Sequence, residues 1–187
     1  MSSVARWVWA NRLTELQLVG LVFVVWYFAR YGVEFDAIWI FAYLGLALIL
    51  GLIYGFLLDP LLERFFSSQR VDVESAGQRI FKPVKSHPLR TFSLIPGEDG
   101  LFFVPLLLIG VTPVTAALTS VLFGLAHYPL FPVKYCIVKT TLFFLVAVFI
   151  LPHGLATVIV GHLLLDGAVL VGWTLASRAG ASQSANE

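Results

Sequence analysis

The chain is organised as long apolar blocks separated by short polar breaks. Residues 13–29 form the first block, residues 30–36 interrupt it, and residues 37–58 form the second. Each is long enough to cross a bilayer as a helix. Trp26, Tyr27 and Trp39 gather near the turn between the two blocks, where amphipathic rings favour the membrane interface. The second block carries Gly51-Leu-Ile-Tyr-Gly55, a spacing that lets a neighbouring helix approach closely; an ordinary lipid-facing helix with two glycines is the alternative. Arg6 and Arg12 ahead of the first block look like the start of a secretory leader, but no small-residue cleavage site follows, so a retained span is expected.

Residues 59–92 are the only long polar stretch, with Arg64, Arg70, Arg79, Lys82, Lys85 and Arg90 against Asp59, Glu63, Asp72 and Glu74. This reads as a cytoplasmic loop with an amphipathic piece at 61–66. Beyond it the pattern is apolar again, broken at Gly110-Val-Thr-Pro113, around 128–136, and at Pro152-His153-Gly154. One long span over 101–126 would leave Lys134, Lys139 and Arg178 outside with Arg30. Two short helices over 93–110 and 113–127, followed by helices over 137–151 and 154–173, leave only Arg30 outside. The second division satisfies the positive-inside rule. The expected fold is all-α, a polytopic membrane bundle of about six transmembrane or partial helices with both termini cytoplasmic. Residues 1–180 form one membrane-embedded domain, and residues 181–187 a flexible, polar tail.

Composition sharpens this picture. Of 187 residues, 59% are hydrophobic and 12% charged, and the mean hydropathy is +0.89. A soluble domain carries about 25% charged residues, so the surplus of apolar side chains here needs lipid as solvent. An ordinary cytosolic enzyme, a secreted disulfide scaffold and a disordered chain are excluded. The net charge of +1 supplies no field for nucleic acid. Cys136, the single cysteine, rules out an internal disulfide and a cysteine-built zinc site.

Against so apolar a background the ionisable residues Glu98, Asp99, His127, His162 and Asp166 stand out, because each costs about 2.5–3.5 kcal/mol to insert. In the six-helix topology Glu98, His127, His162 and Asp166 can converge at one depth in the cytoplasmic half of the bundle. His162 and Asp166, four apart, share a helix face. Each also has a plainer reading. Glu98 and Asp99 suit the start of a helix, where carboxylates favour the dipole. His127 suits an interface beside Tyr128-Pro129, and His162 with Asp166 suits a structural hydrogen-bonded pair. His153, in a turn, reads as interfacial, and His87 receives no role.

Phe123-Gly-Leu-Ala-His127 fits an FxxxH pattern and His162-Leu-Leu-Leu-Asp166 fits HxxxN/D, with Glu98-Asp99 ahead of them. This order resembles the CAAX prenyl protease and bacteriocin-processing (CPBP, or Abi) family of intramembrane endopeptidases, over roughly residues 93–173. The resemblance implies that Glu98 and His127 activate the attacking water, and that His162 and Asp166 orient the substrate carbonyl or stabilise the oxyanion. Asp99 and Phe123 would support them. A carboxylate withdrawn from water is a better base, and a positioned imidazole can share the proton. The family's first motif reads EExxxR, whereas this chain reads Glu98-Asp99-Gly-Leu-Phe-Phe103, with an aspartate for the second acid and Phe103 at the arginine position.

The expectation is therefore an endopeptidase without a cofactor, in the plasma (inner) membrane, cutting a membrane-anchored peptide or protein near the cytoplasmic face. Zinc at His127, His162 and Glu98 is the less favoured alternative, since no HExxH pattern is present. The missing arginine supports another class: a catalytically silent subunit that stabilises a membrane complex. The small-residue steps Ala116xxxSer120, Ser120xxxGly124 and Ala168xxxGly172 fit that reading or internal packing. A proton or ion path through Glu98, His127, His162 and Asp166 is the third reading.

Overall fold

A computed structural model describes residues 3–58, 60, 88–128 and 133–184. Most of the expected loop 59–92, including its amphipathic piece and His87, lies outside the described residues, as do 185–187. Among the described residues there are six α-helices and no strands: α1 (Ser3–Tyr31), α2 (Ala37–Ile53), α3 (Pro88–Ile109), α4 (Pro113–His127), α5 (Val133–Leu145) and α6 (Leu155–Ser184). A π-helical turn, Tyr54–Leu58, extends α2, and a second, Val146–Ile150, leads from α5 through the 3₁₀ turn Leu151–His153 into α6.

Three helical stretches are long and apolar enough to cross a membrane: Ala37–Phe56, Tyr135–His153 and Leu155–Gly172. Helix α4 is a shorter apolar helix. Several boundaries differ from those the pattern predicts. Helix α3 starts at Pro88, so residues 88–92 are helical and not part of a loop; proline at a first helical position forfeits no hydrogen bond, because that N–H has no partner there. Helix α5 starts at Val133, before the expected 137, and α6 continues to Ser184, through the expected end at 173 and into the expected tail. Alanine and polar residues can prolong a helix as readily as end it when neither proline nor an αL glycine stops them.

The turns have clear causes. Gly110 adopts φ +95°, a conformation that a side chain would strain. Thr112 then caps α4, its hydroxyl accepting from the Thr115 N–H while the Thr115 hydroxyl accepts from the Thr112 N–H, with Pro113 next in line. At the start of α2, Asp36 accepts from the Ile38 N–H, and its own N–H donates to the Thr157 hydroxyl. Trp39 stacks on His153 with centroids 3.7 Å apart, which ties the 32–36 connection to the turn ahead of α6.

Helix packing supplies the main correction. A Cβ on Gly51 or Gly55 would meet no atom within 4 Å, so the GxxxG step in α2 is not a packing seam among the described residues. The seam lies between α1 and α3, the most extensive helix contact. A Cβ on Gly20 would run into the Gly97 carbonyl, one on Gly97 into the Gln17 carbonyl, and one on Gly100 into the Gly20 carbonyl. Three glycines thus bring two backbones into direct contact. Ala116, Ser120 and Gly124 are buried within the bundle, and a Cβ on Gly124 would strike Thr140 of α5. Ala168 and Gly172 are exposed. The core is aromatic and branched: Phe103, Leu106, Phe123, Phe143, Val146, Ile150 and Val158.

Candidate functional site

Helix α3 places two consecutive carboxylates in the interior, and each meets a histidine from a different helix. Glu98 Oε1 lies 3.3 Å from His127 Nε2 at the end of α4. Asp99 Oδ1 lies 2.9 Å from His162 Nδ1 on α6. Adjacent helical residues point about 100° apart, which is why neighbours in sequence serve separate partners. The α1–α3 glycine seam completes the first pair. It lets Gln17, one turn before Gly20, donate from Nε2 to Glu98 Oε2 at 3.2 Å.

His127 is fixed at its other nitrogen. Nδ1 is 2.8 Å from the Phe123 carbonyl; a carbonyl only accepts, so Nδ1 carries hydrogen and Nε2 of the neutral ring presents a lone pair. Phe123, four residues earlier, therefore supports His127 through its backbone, and its ring lies 4.5 Å from the imidazole. From α5, Lys139 Nζ reaches His127 Nε2 at 3.2 Å and Glu98 Oε1 at 3.7 Å. Glu98 Oε1 is buried and within ion-pair distance of both groups, yet aligned for a hydrogen bond with neither. A carboxylate and an imidazole this close form an acid–base pair that can share a proton.

In the second pair Asp99 is almost fully buried, with 2% exposure. It holds His162 through Nδ1, so Nε2 is left for another group. Asp166 Oδ2 is 3.8 Å from that Nε2, beyond hydrogen-bond reach, and its side chain is 48% exposed. The carboxylate bonded to the His162 ring is therefore Asp99, and not Asp166. The second carboxylate oxygen, Asp99 Oδ2, is buried without a hydrogen-bond partner.

A cavity of about 40 Å³ opens between the helices, lined by Tyr43, Asp99, Lys139 and His162 and by Phe103, Phe123, Leu142, Phe143 and Val146. At about 10–15 Å³ per water it has room for roughly three or four. Phe103, at the position where the family's motif has arginine, packs on Phe143 with ring centroids 4.2 Å apart and planes 3° from parallel. It forms a wall of the cavity without filling it. Lys139 is the cation beside Glu98.

Among the described residues, no group of three or more His, Cys, Asp or Glu is arranged to hold a metal ion. Glu98 pairs with His127 and Asp99 with His162, and the Lys139 ammonium sits against the first pair. Three participants escaped the sequence reading. Lys139 entered it only as a topology marker. Gln17 had a usable signal, a side-chain amide one turn from a glycine in an apolar run. Tyr43 had none beyond its polar tip. Comparison with protein-family models, curated proteins and solved structures gives no match.

Proposed function

We propose that this chain is an intramembrane endopeptidase of the CPBP type, a six-helix membrane protein with both termini on the cytoplasmic side. It cuts a membrane-anchored peptide or protein near the cytoplasmic face of the plasma (inner) membrane, using its own side chains and no cofactor. The observation that carries this reading is the 3.3 Å approach of Glu98 Oε1 to His127 Nε2, with Lys139, which lines the neighbouring cavity, against both. A water there gives its proton to the Glu98–His127 pair, and the hydroxide adds to the carbonyl carbon of the scissile bond. Protonated His162, held through Nδ1 by Asp99, donates from Nε2 to the oxyanion. The C–N bond then breaks as the proton on the Glu98–His127 pair passes to the leaving amine.

The experiment is a cleavage assay in phosphatidylethanolamine–phosphatidylglycerol vesicles, with a library of lipid-anchored, internally quenched peptides. Wild type is expected to cut a subset, and Glu98→Gln and His127→Ala none. Cleavage by Glu98→Gln at the wild-type rate would refute this mechanism.

A silent, complex-stabilising subunit is the second reading. Two observations favour it: the apolar Phe103–Phe143 stack at the arginine position, and the open small residues Gly51, Gly55 and Gly172, available to a helix of another protein. Under that reading Glu98→Gln changes nothing, while Gly55→Leu lowers the abundance of the complex.

A further inference from the structure

Tyr43, on α2, lies outside the region of family resemblance, yet it lines the same cavity as Asp99, Lys139 and His162. It is 4% exposed. Its ring rests on the backbone of α6 at Gly161, where a Cβ would come within 2.8 Å of the ring carbon Cγ. Only glycine leaves space for the ring there, one residue before His162. The tyrosine is thus built into the site by two helices.

Its hydroxyl makes no hydrogen bond to another described residue. A tyrosine buried to this extent ordinarily finds a partner for its hydroxyl. On the same cavity lies the His162 ring. A tyrosine hydroxyl and a protonated imidazole on a common space complement an acceptor, as the carbonyl oxygen of a peptide unit is. The apolar walls from Phe103, Phe123 and Phe143 strengthen any such hydrogen bond by excluding water.

We propose that Tyr43 is a further catalytic residue, its hydroxyl donating to the carbonyl oxygen of the bond being cut, beside His162. This rests on the endopeptidase reading. The bond shortens as charge develops on that oxygen, so its contribution falls on turnover more than on substrate binding.

The test uses the full chain in phosphatidylethanolamine–phosphatidylglycerol vesicles with the same lipid-anchored quenched peptides, comparing wild type, Tyr43→Phe and Glu98→Gln. Tyr43→Phe keeps the ring against Gly161 and removes only the oxygen. The expected result is a kcat lowered by about 10²–10³-fold, the scale of losing one oxyanion donor, with KM within about threefold and Tm within about 2 °C of wild type. If Tyr43→Phe keeps wild-type kcat while Glu98→Gln is inactive, Tyr43 is not catalytic and the endopeptidase reading stands. A loss of kcat accompanied by a Tm drop of more than about 5 °C assigns Tyr43 a structural bond and overturns the proposal. If wild type cuts nothing, or Glu98→Gln cuts as well as wild type, the endopeptidase reading falls and the role of Tyr43 with it.

Discussion

Two carboxylate–histidine pairs grow from adjacent residues of one helix, and they are built differently. The Glu98–His127 pair is crowded with donors: Gln17 on one carboxylate oxygen, and Lys139 against both members. Its two acceptors face each other at 3.3 Å, with the far nitrogen of His127 tied to the Phe123 carbonyl. The Asp99–His162 pair is a single 2.9 Å bond, deeper in the bundle, with one carboxylate oxygen left without a donor and an open cavity beside it. The first arrangement suits taking a proton from a small molecule, and the second suits holding an imidazole still while another group docks. One stretch of sequence makes both because successive side chains leave a helix in different directions.

The strongest way to break this comparison is to remove the base from the first pair. In the proposed chemistry Glu98→Gln lowers the peptide cleavage rate by about 10²–10⁴-fold, the range for general-base catalysis, measured in lipid vesicles. Next is Lys139→Met, which leaves Glu98 buried beside His127 without its ammonium. Breaking a buried pair costs about 3–5 kcal/mol, so a large drop in thermal midpoint in detergent is expected. The corresponding Asp166→Asn should leave that midpoint nearly unchanged.

The glycine seam that delivers Gln17 to the first pair can be tested separately. Gly97→Val drives a side chain into the Gln17 backbone carbonyl, which cannot rotate away, and should destabilise by about 3 kcal/mol, the upper range for overpacking. Gly51→Val, on the open face of α2, should fall within about 0.5 kcal/mol of wild type. Equal losses at the two positions in a thermal melt would mean that Gly51 also packs closely.

Asp99→Asn probes the second pair. It keeps the shape but weakens the hold on His162, and in the proposed enzyme turnover should fall by about 10–100-fold, typical of a residue that orients another. The smallest effect is expected at Asp166. Half-exposed and 3.8 Å from His162, it contributes no more than a surface pair of about 0.2–1 kcal/mol, so Asp166→Asn should lose less than about fivefold in kcat. A loss at Asp166 exceeding that at Asp99 would reverse the assignment of partners to His162.

Particular residues show how far the sequence could be read. Glu98, Asp99, His127 and His162 announced themselves, since ionisable groups in apolar runs carry a cost that needs a reason. Lys139 is equally costly to bury, but positive charge also marks membrane orientation, and that second meaning hid the first. Gln17 and Tyr43 are inconspicuous in a membrane helix. The glycine pattern in α2 finds no neighbour among the described residues, because spacing says that a close approach is sterically allowed, and not that a partner is present.

What the sequence by itself determined is the class of structure. Long apolar runs with few charges keep their backbone hydrogen bonds within, which leaves helices as the economical solution. It also set the turns at Gly110-Val-Thr-Pro113 and Gly154, since glycine conformation and threonine capping act over a few residues. Only the tertiary structure decided which histidine each carboxylate meets, that Lys139 stands against Glu98, that Asp99 and not Asp166 holds His162, and that Tyr43 joins them. Those pairings depend on the rotation and crossing of helices far apart in the chain. Three glycines between α1 and α3, and one against Tyr43, set that geometry by where they leave room for a neighbour.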